Sequence, residues 1–91
     1  ERLEGNPNDA AARLGLARAL STNQQVPASL DHYDVLIDTQ QLLQDVLGDL
    51  TGLMSSQPEN PRVRRLLGDA YMRLGRLQDA LDAYRSALDQ L

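Results

Sequence analysis

Leu43-Gln44-Asp45-Val46-Leu47 returns 34 residues later as Leu77-Gln78-Asp79-Ala80-Leu81, and self-similarity at that period marks a supersecondary unit used more than once. Pro27 and Pro61 share the shift, as do the pairs Tyr33/Leu67, Ile37/Tyr71, Leu50/Tyr84, Leu53/Ala87 and Met54/Leu88. Within the repeat the apolar spacing is helical. Val63, Leu66, Leu67, Ala70, Tyr71 and Leu74 follow i, i+3, i+4, i+7, and Leu77, Ala80, Leu81, Tyr84, Ala87, Leu88 and Leu91 form a second stripe. The two stripes meet at Leu74-Gly75-Arg76, where glycine tolerates a left-handed helix end.

Upstream, Leu42, Leu43, Val46, Leu47, Leu50, Leu53 and Met54 predict a third helix, ended by Ser55-Ser56-Gln57-Pro58. Asn60 reads as the N-cap of the next helix, with Pro61 at its first position, where a missing N–H costs nothing. Leu30, Tyr33, Leu36 and Ile37 mark a shorter helix after Pro27. Asp9 can cap a first helix carrying Ala10, Ala11, Leu14, Ala17 and Leu20, with Ser21 to Val26 as a loop. Five helices and no strand are expected. A helix pair cannot bury its whole apolar face alone, so stacked pairs, a solenoid, are the expected product.

Composition bounds the alternatives. The chain has 91 residues, 42% hydrophobic and 24% charged, and no cysteine, so one small domain must be held by regular packing without disulfides. Its first residue is Glu1, which reads as a fragment or a processed chain. No signal peptide is visible, and the cytoplasm is the expected compartment. No apolar run approaches the length of a membrane span. Nine Arg against thirteen acidic residues, no Phe or Trp and three Tyr argue against nucleic acid, which wants cationic surface and stacking platforms. The charge is uneven: residues 1–26 are neutral, 27–60 carry −6 without a single Arg, and 61–91 carry +2.

The last unit resembles the tetratricopeptide repeat, a 34-residue antiparallel helix pair. Leu67-Gly68, Tyr71, Gly75, Ala80, Tyr84 and Ala87 stand at the family spacing, and Pro58 stands where the preceding unit should end. Gly68 and Ala80 lack bulk so that paired helices can approach, while Tyr71 and Tyr84 fill the gaps beside them. Two positions depart: Arg64 takes the place of a large apolar residue, and Asp34 takes the glycine slot of the middle unit. The resemblance implies an all-α, right-handed superhelical array of antiparallel helix pairs. It divides the chain into a loosely matching 1–26, a degenerate pair at 27–60 and a well-matched pair at 61–91, together one domain. The helix from Ala28 to Asp38 can partner the first helix or open the middle unit.

Catalytic and ligand chemistry finds little to work with. His32 is the one histidine, and without cysteine a transition-metal site lacks its ligands. No serine stands in a nucleophile-elbow or triad-like context. The acidic run reads as a solvated helix face, and the six glycines are too scattered for a phosphate loop. No cofactor is implied. Gly48 and Gly52 share a helix face at i, i+4 and cost about 1 kcal/mol each relative to alanine. Either another backbone approaches them closely, or a loosely constrained helix tolerates them.

The resemblance implies a non-catalytic scaffold that takes a peptide or partner helix in a concave groove. By family geometry the groove residues are Arg62, Arg65, Asp69, Met72 and Arg73 of the last unit and Asp31, Val35 and Asp38 of the middle one. Arg-rich first helices favour an acidic ligand, since guanidinium forks bind carboxylates bidentately. The paired Asn and Lys with which one branch of the family clamps a terminal carboxylate are not matched, because Lys is absent. The alternative is self-assembly, to a homodimer or beyond. An acidic middle would pair with a basic end, and the last apolar stripe, with no capping helix after it, would join two copies.

Overall fold

The computed structural model describes residues 9–89, which form five helices and no strand. In chain order they are α1 (Ala10–Thr22), α2 (Val26–Asp38), α3 (Leu43–Ser56), α4 (Pro61–Arg73) and α5 (Leu77–Asp89). The chain divides into two compact units, one closing at Leu42 and the other opening at Leu43.

In the first unit α1 packs against α2, the first of the two pairings the sequence allows for the Ala28–Asp38 helix. The Asp9 carboxylate caps α1, accepting the Ala12 amide at 3.0 Å. Leu14 and Ala17 of α1 are buried, as are Val26, Ser29, Leu30, Tyr33, Leu36 and Ile37 of α2. Two polar contacts cross between the helices. The fully buried Ser29 hydroxyl donates to the Ala17 carbonyl at 2.7 Å, and Arg13 Nη1 lies 2.9 Å from His32 Nδ1. A guanidinium only donates, so His32 Nδ1 accepts and the ring proton sits on Nε2. The connecting loop is shorter than its composition suggests: Ser21 and Thr22 extend α1, and Val26 opens α2.

In the second unit α4 is the middle helix, touching α3 and, more extensively, α5. Asn60 caps α4 by accepting the Arg62 amide at 3.1 Å, with Pro61 in the first turn. Val63, Leu66, Leu67, Gly68 and Ala70 of α4 are buried with Val46, Leu47, Leu50 and Leu53 of α3. Gly68 sets the approach of α5. A Cβ built there would stand 2.5 Å from Tyr84 Cε1 and 2.7 Å from Cδ1, so only hydrogen leaves room for the ring. Gly75 adopts φ +78° at the turn, the left-handed conformation for which glycine is suited. Arg76, just after it, pairs with Asp79 at 2.8 Å and lies 5.0 Å over the Tyr71 ring.

Gly48 and Gly52 are exposed, and a Cβ at either would meet nothing within 4 Å. Of the two readings the sequence allows, toleration in an outward helix face is the one that holds. Arg64 keeps its unusual place by polar means: Nη1 donates to Ser86 Oγ on α5 and Nη2 to the Pro58 carbonyl at 2.8 Å. Its buried Nε has no hydrogen-bond partner.

Candidate protein-interaction site

A cleft of about 560 Å³ opens between α4 and α5, lined by Pro61, Arg62, Arg65, Asp69, Tyr84, Ala87 and Leu88. Its geometry follows from the antiparallel register that Gly68 and Tyr84 fix. With those two residues level, Arg65 stands level with Ala87 and Leu88. The α4 wall is therefore cationic at one end, while the α5 wall is aromatic and aliphatic.

Asp69, the carboxylate in this wall, is already engaged. The Tyr84 hydroxyl donates to its Oδ1 at 2.6 Å. Burial first, then this hydrogen bond and the charge of Asp69, push the Tyr84 phenol up to about 12, with Arg65 and Arg73 pulling the other way. The ring thus stays a neutral donor across the physiological range, and the lock between α4 and α5 persists with it. Arg62 and Arg65 are the cations of the lining, beside the apolar Ala87 and Leu88 and the Tyr84 ring, residue types with which a carboxylate and an aliphatic side chain can both interact.

Of the eight residues expected to face a groove, Arg62, Arg65 and Asp69 line this cleft. Met72 and Arg73 are exposed on α4 but outside the lining. Asp31, Val35 and Asp38 are exposed along α2, within the first unit. The α5 contribution, Tyr84, Ala87 and Leu88, was not among the expected site residues, although the pairing of Gly68 with Tyr84 in the repeat motif would have placed it opposite Arg65.

Chemistry of other kinds finds no support among the described residues. No group of three or more His, Cys, Asp or Glu side chains could hold a metal ion, and no helix is long and apolar enough to cross a membrane. His32 lies in the first unit, held below its ordinary titration range by burial and then by Arg13, with Asp31 opposing.

The outer edge of α5 continues the apolar wall from Leu88, which lines the cleft, to Leu81 and Leu77, which do not. Leu77, Leu81 and Leu88 are 63%, 44% and 67% exposed. The second stripe read from the sequence is thus split. Ala80 is buried and Tyr84 and Ala87 are half-buried, while the three leucines face outward and Leu91 lies outside the described residues. The physical reason is that α4 covers α5 from one side.

Comparison with known proteins bears on the same region. No curated protein and no solved structure matches the chain, but the family model described as "Tetratricopeptide repeat" matches residues 40–91. That is more than half the chain, and it contains α3, α4, α5, the Gly68–Tyr84 contact and the cleft. Repeats of this kind generally mediate protein–protein interaction and are typically non-catalytic. By that match and by its helical architecture, the chain belongs to the tetratricopeptide repeat family.

Proposed function

We propose that this chain is a non-catalytic interaction module that takes a carboxylate-bearing peptide or partner helix along α4, with Arg62 and Arg65 as the ligand-facing cations. The observation that supports this reading is the cleft itself, which Arg62 and Arg65 line together with the apolar Tyr84, Ala87 and Leu88. Aliphatic groups of the ligand bury against these apolar groups, and its acidic groups meet the forks. Asp69 contributes by holding Tyr84 in place. Met72 and Arg73 extend the contact row on α4, and Asp31, Val35 and Asp38 form a separate contact row on α2.

Fluorescence anisotropy with a labelled amphipathic peptide tests this, using Glu-bearing and Lys-bearing versions of one apolar pattern. The Glu version should bind, the Lys version should not, and Arg62→Glu with Arg65→Glu should weaken binding by about tenfold or more, since a charge-assisted bond contributes about 1.5–3 kcal/mol. Equal binding of both peptides, or a double variant that binds unchanged, overturns the assignment. Far-UV circular dichroism establishes that the variant keeps its helices.

A further inference from the structure

We propose that the Tyr84 hydroxyl sets the charge preference of the cleft: it holds the Asp69 carboxylate away from Arg65 and so keeps that guanidinium open to an acidic ligand. Tyr84 acts here as a positioning residue. The role rests on the reading of the cleft as the seat of a carboxylate-bearing peptide or helix, and it adds what makes the cleft prefer one charge over the other.

Arg65, Asp69 and Arg73 follow one another along α4 at steps of four, the spacing at which opposite charges on one helix face pair. A cleft whose own carboxylate occupied Arg65 would have one guanidinium fewer for a ligand. Arg65 and Asp69 both line the cleft, whereas Arg73 lies outside it, so the contest that matters for binding is the one at Arg65. Among the described residues Arg65 makes no ion pair. The Asp69 Oδ1 accepts the Tyr84 hydroxyl at 2.6 Å instead. In the same unit Arg76 and Asp79, a pair of the same two types, do close, at 2.8 Å with side chains 50% and 44% exposed. What sets Asp69 apart is a hydroxyl brought to it from the facing helix.

That delivery is built into the packing. Gly68 leaves the Tyr84 ring room to lie against α4, 2.5 Å from where a Cβ would stand, and Asp69 is the next residue along. A ring seated on Gly68 thus carries its hydroxyl to the neighbouring carboxylate. The bond has the length of an O–H donor on a charged acceptor, the shorter and stronger class, whereas an exposed ion pair one turn apart on a helix contributes little. The hydroxyl therefore holds the carboxylate against the guanidinium. Burial first, then this bond and the Asp69 charge, raise the phenol to about 12, so the donor keeps its proton throughout the physiological range.

Tyr84→Phe keeps the ring on Gly68 and removes only the hydroxyl. An i, i+4 ion pair is favoured by about twofold on a helix, so an Asp69 released onto Arg65 should weaken binding of the Glu-bearing peptide by about threefold. Fluorescence anisotropy on the native chain, Tyr84→Phe, Asp69→Asn and the double variant separates release from simple charge. Asp69→Asn removes a negative charge in either background and should strengthen binding in both, but by about threefold more after Tyr84→Phe than before it. An equal factor in the two backgrounds, or Tyr84→Phe binding as tightly as the native chain, overturns the proposal.

The hold on Asp69 is also read without any ligand. In proton–nitrogen correlation spectra the Arg65 guanidinium signal, identified by its loss in Arg65→Gln, should move on Tyr84→Phe and return when Asp69→Asn is added. A signal that does not move, or that Asp69→Asn fails to return, overturns the proposal whatever the peptide does. If the native chain binds no Glu-bearing peptide, the reading of the cleft fails and the charge preference with it, and the Arg65 signal still tells whether the hydroxyl holds Asp69.

Discussion

Between α4 and α5 the contact is made by a side chain that is missing: Gly68 is bare, and the Tyr84 ring occupies the space. Polar bonds cross both helix pairs, Tyr84 to Asp69 and Arg64 to Ser86 in the second unit, Ser29 to the Ala17 carbonyl and Arg13 to His32 in the first; but between α1 and α2 no glycine makes room for a ring, a Cβ at Gly15 meeting nothing within 4 Å. A steric fit fails abruptly when volume is added and is indifferent to pH. A polar fit fails by degrees, and one of its members titrates. The difference teaches where each half of the chain is vulnerable.

The steric side breaks hardest. Gly68→Ala forces the Tyr84 ring away from α4, with an expected loss of about 2–3 kcal/mol of stability, read as a lower denaturant midpoint. Gly48→Ala and Gly52→Ala in the same unit add a Cβ to open space and remove a flexible residue from a helix. Each should raise stability by about 0.5–1 kcal/mol. If all three substitutions shift the midpoint alike, the steric account of Gly68 fails.

On the polar side, Ser29→Ala removes a fully buried donor and should cost about 1–2 kcal/mol, measurable by the same denaturant titration. The smallest effect is the dependence on acidity. His32 titrates below its ordinary 6.5 when folded, so the stability it contributes is present above that value. It is lost as pH falls through the folded value, because the unfolded chain takes up the proton first. Denaturant midpoints followed from about pH 8 down to about pH 5 should fall for the native chain. They should fall less for His32→Gln, and equal slopes for the two would remove His32 from the account.

Much of this was legible in the residues, for reasons that can be named. Asp9 and Asn60 cap because their short oxygens reach back to their own helices. Gly68, Tyr71, Ala80 and Tyr84 carry the repeat because their sizes are mechanically linked. Three helix ends close in one way: Gln25 donates to Leu20 at 2.8 Å, Gln41 to Leu36 at 3.0 Å and Arg76 to Tyr71 at 2.9 Å. The residue before each donor, Gln24, Gln40 or Gly75, has positive φ. One of the three is glycine, and it is the one that announced itself. The Gln24 and Gln40 turns were hidden because glutamine carries no preference for that conformation.

Other features were beyond the pattern. Ser29 and His32 bond across to α1, and a single hydroxyl or imidazole leaves no periodic trace from which the partner of α2 could be read. Arg64 looked like a lost packing residue, yet it holds Ser86 and the Pro58 carbonyl through a fork whose reach depends on three-dimensional placement. On the cleft, the α4 half follows from the geometry that the family resemblance implies, which named Arg62, Arg65 and Asp69, all three of which line it. The α5 half needed the register between two helices, which one helix's spacing does not contain.

The tight turn at Gly75 has a kinetic meaning. Gly68 and Tyr84 are only 16 residues apart, so their contact closes a short loop and forfeits little chain entropy before the reward arrives. The α4–α5 hairpin is therefore suited to form early, with α3 condensing onto a helix already in place. Substitutions at Gly68 should then slow refolding.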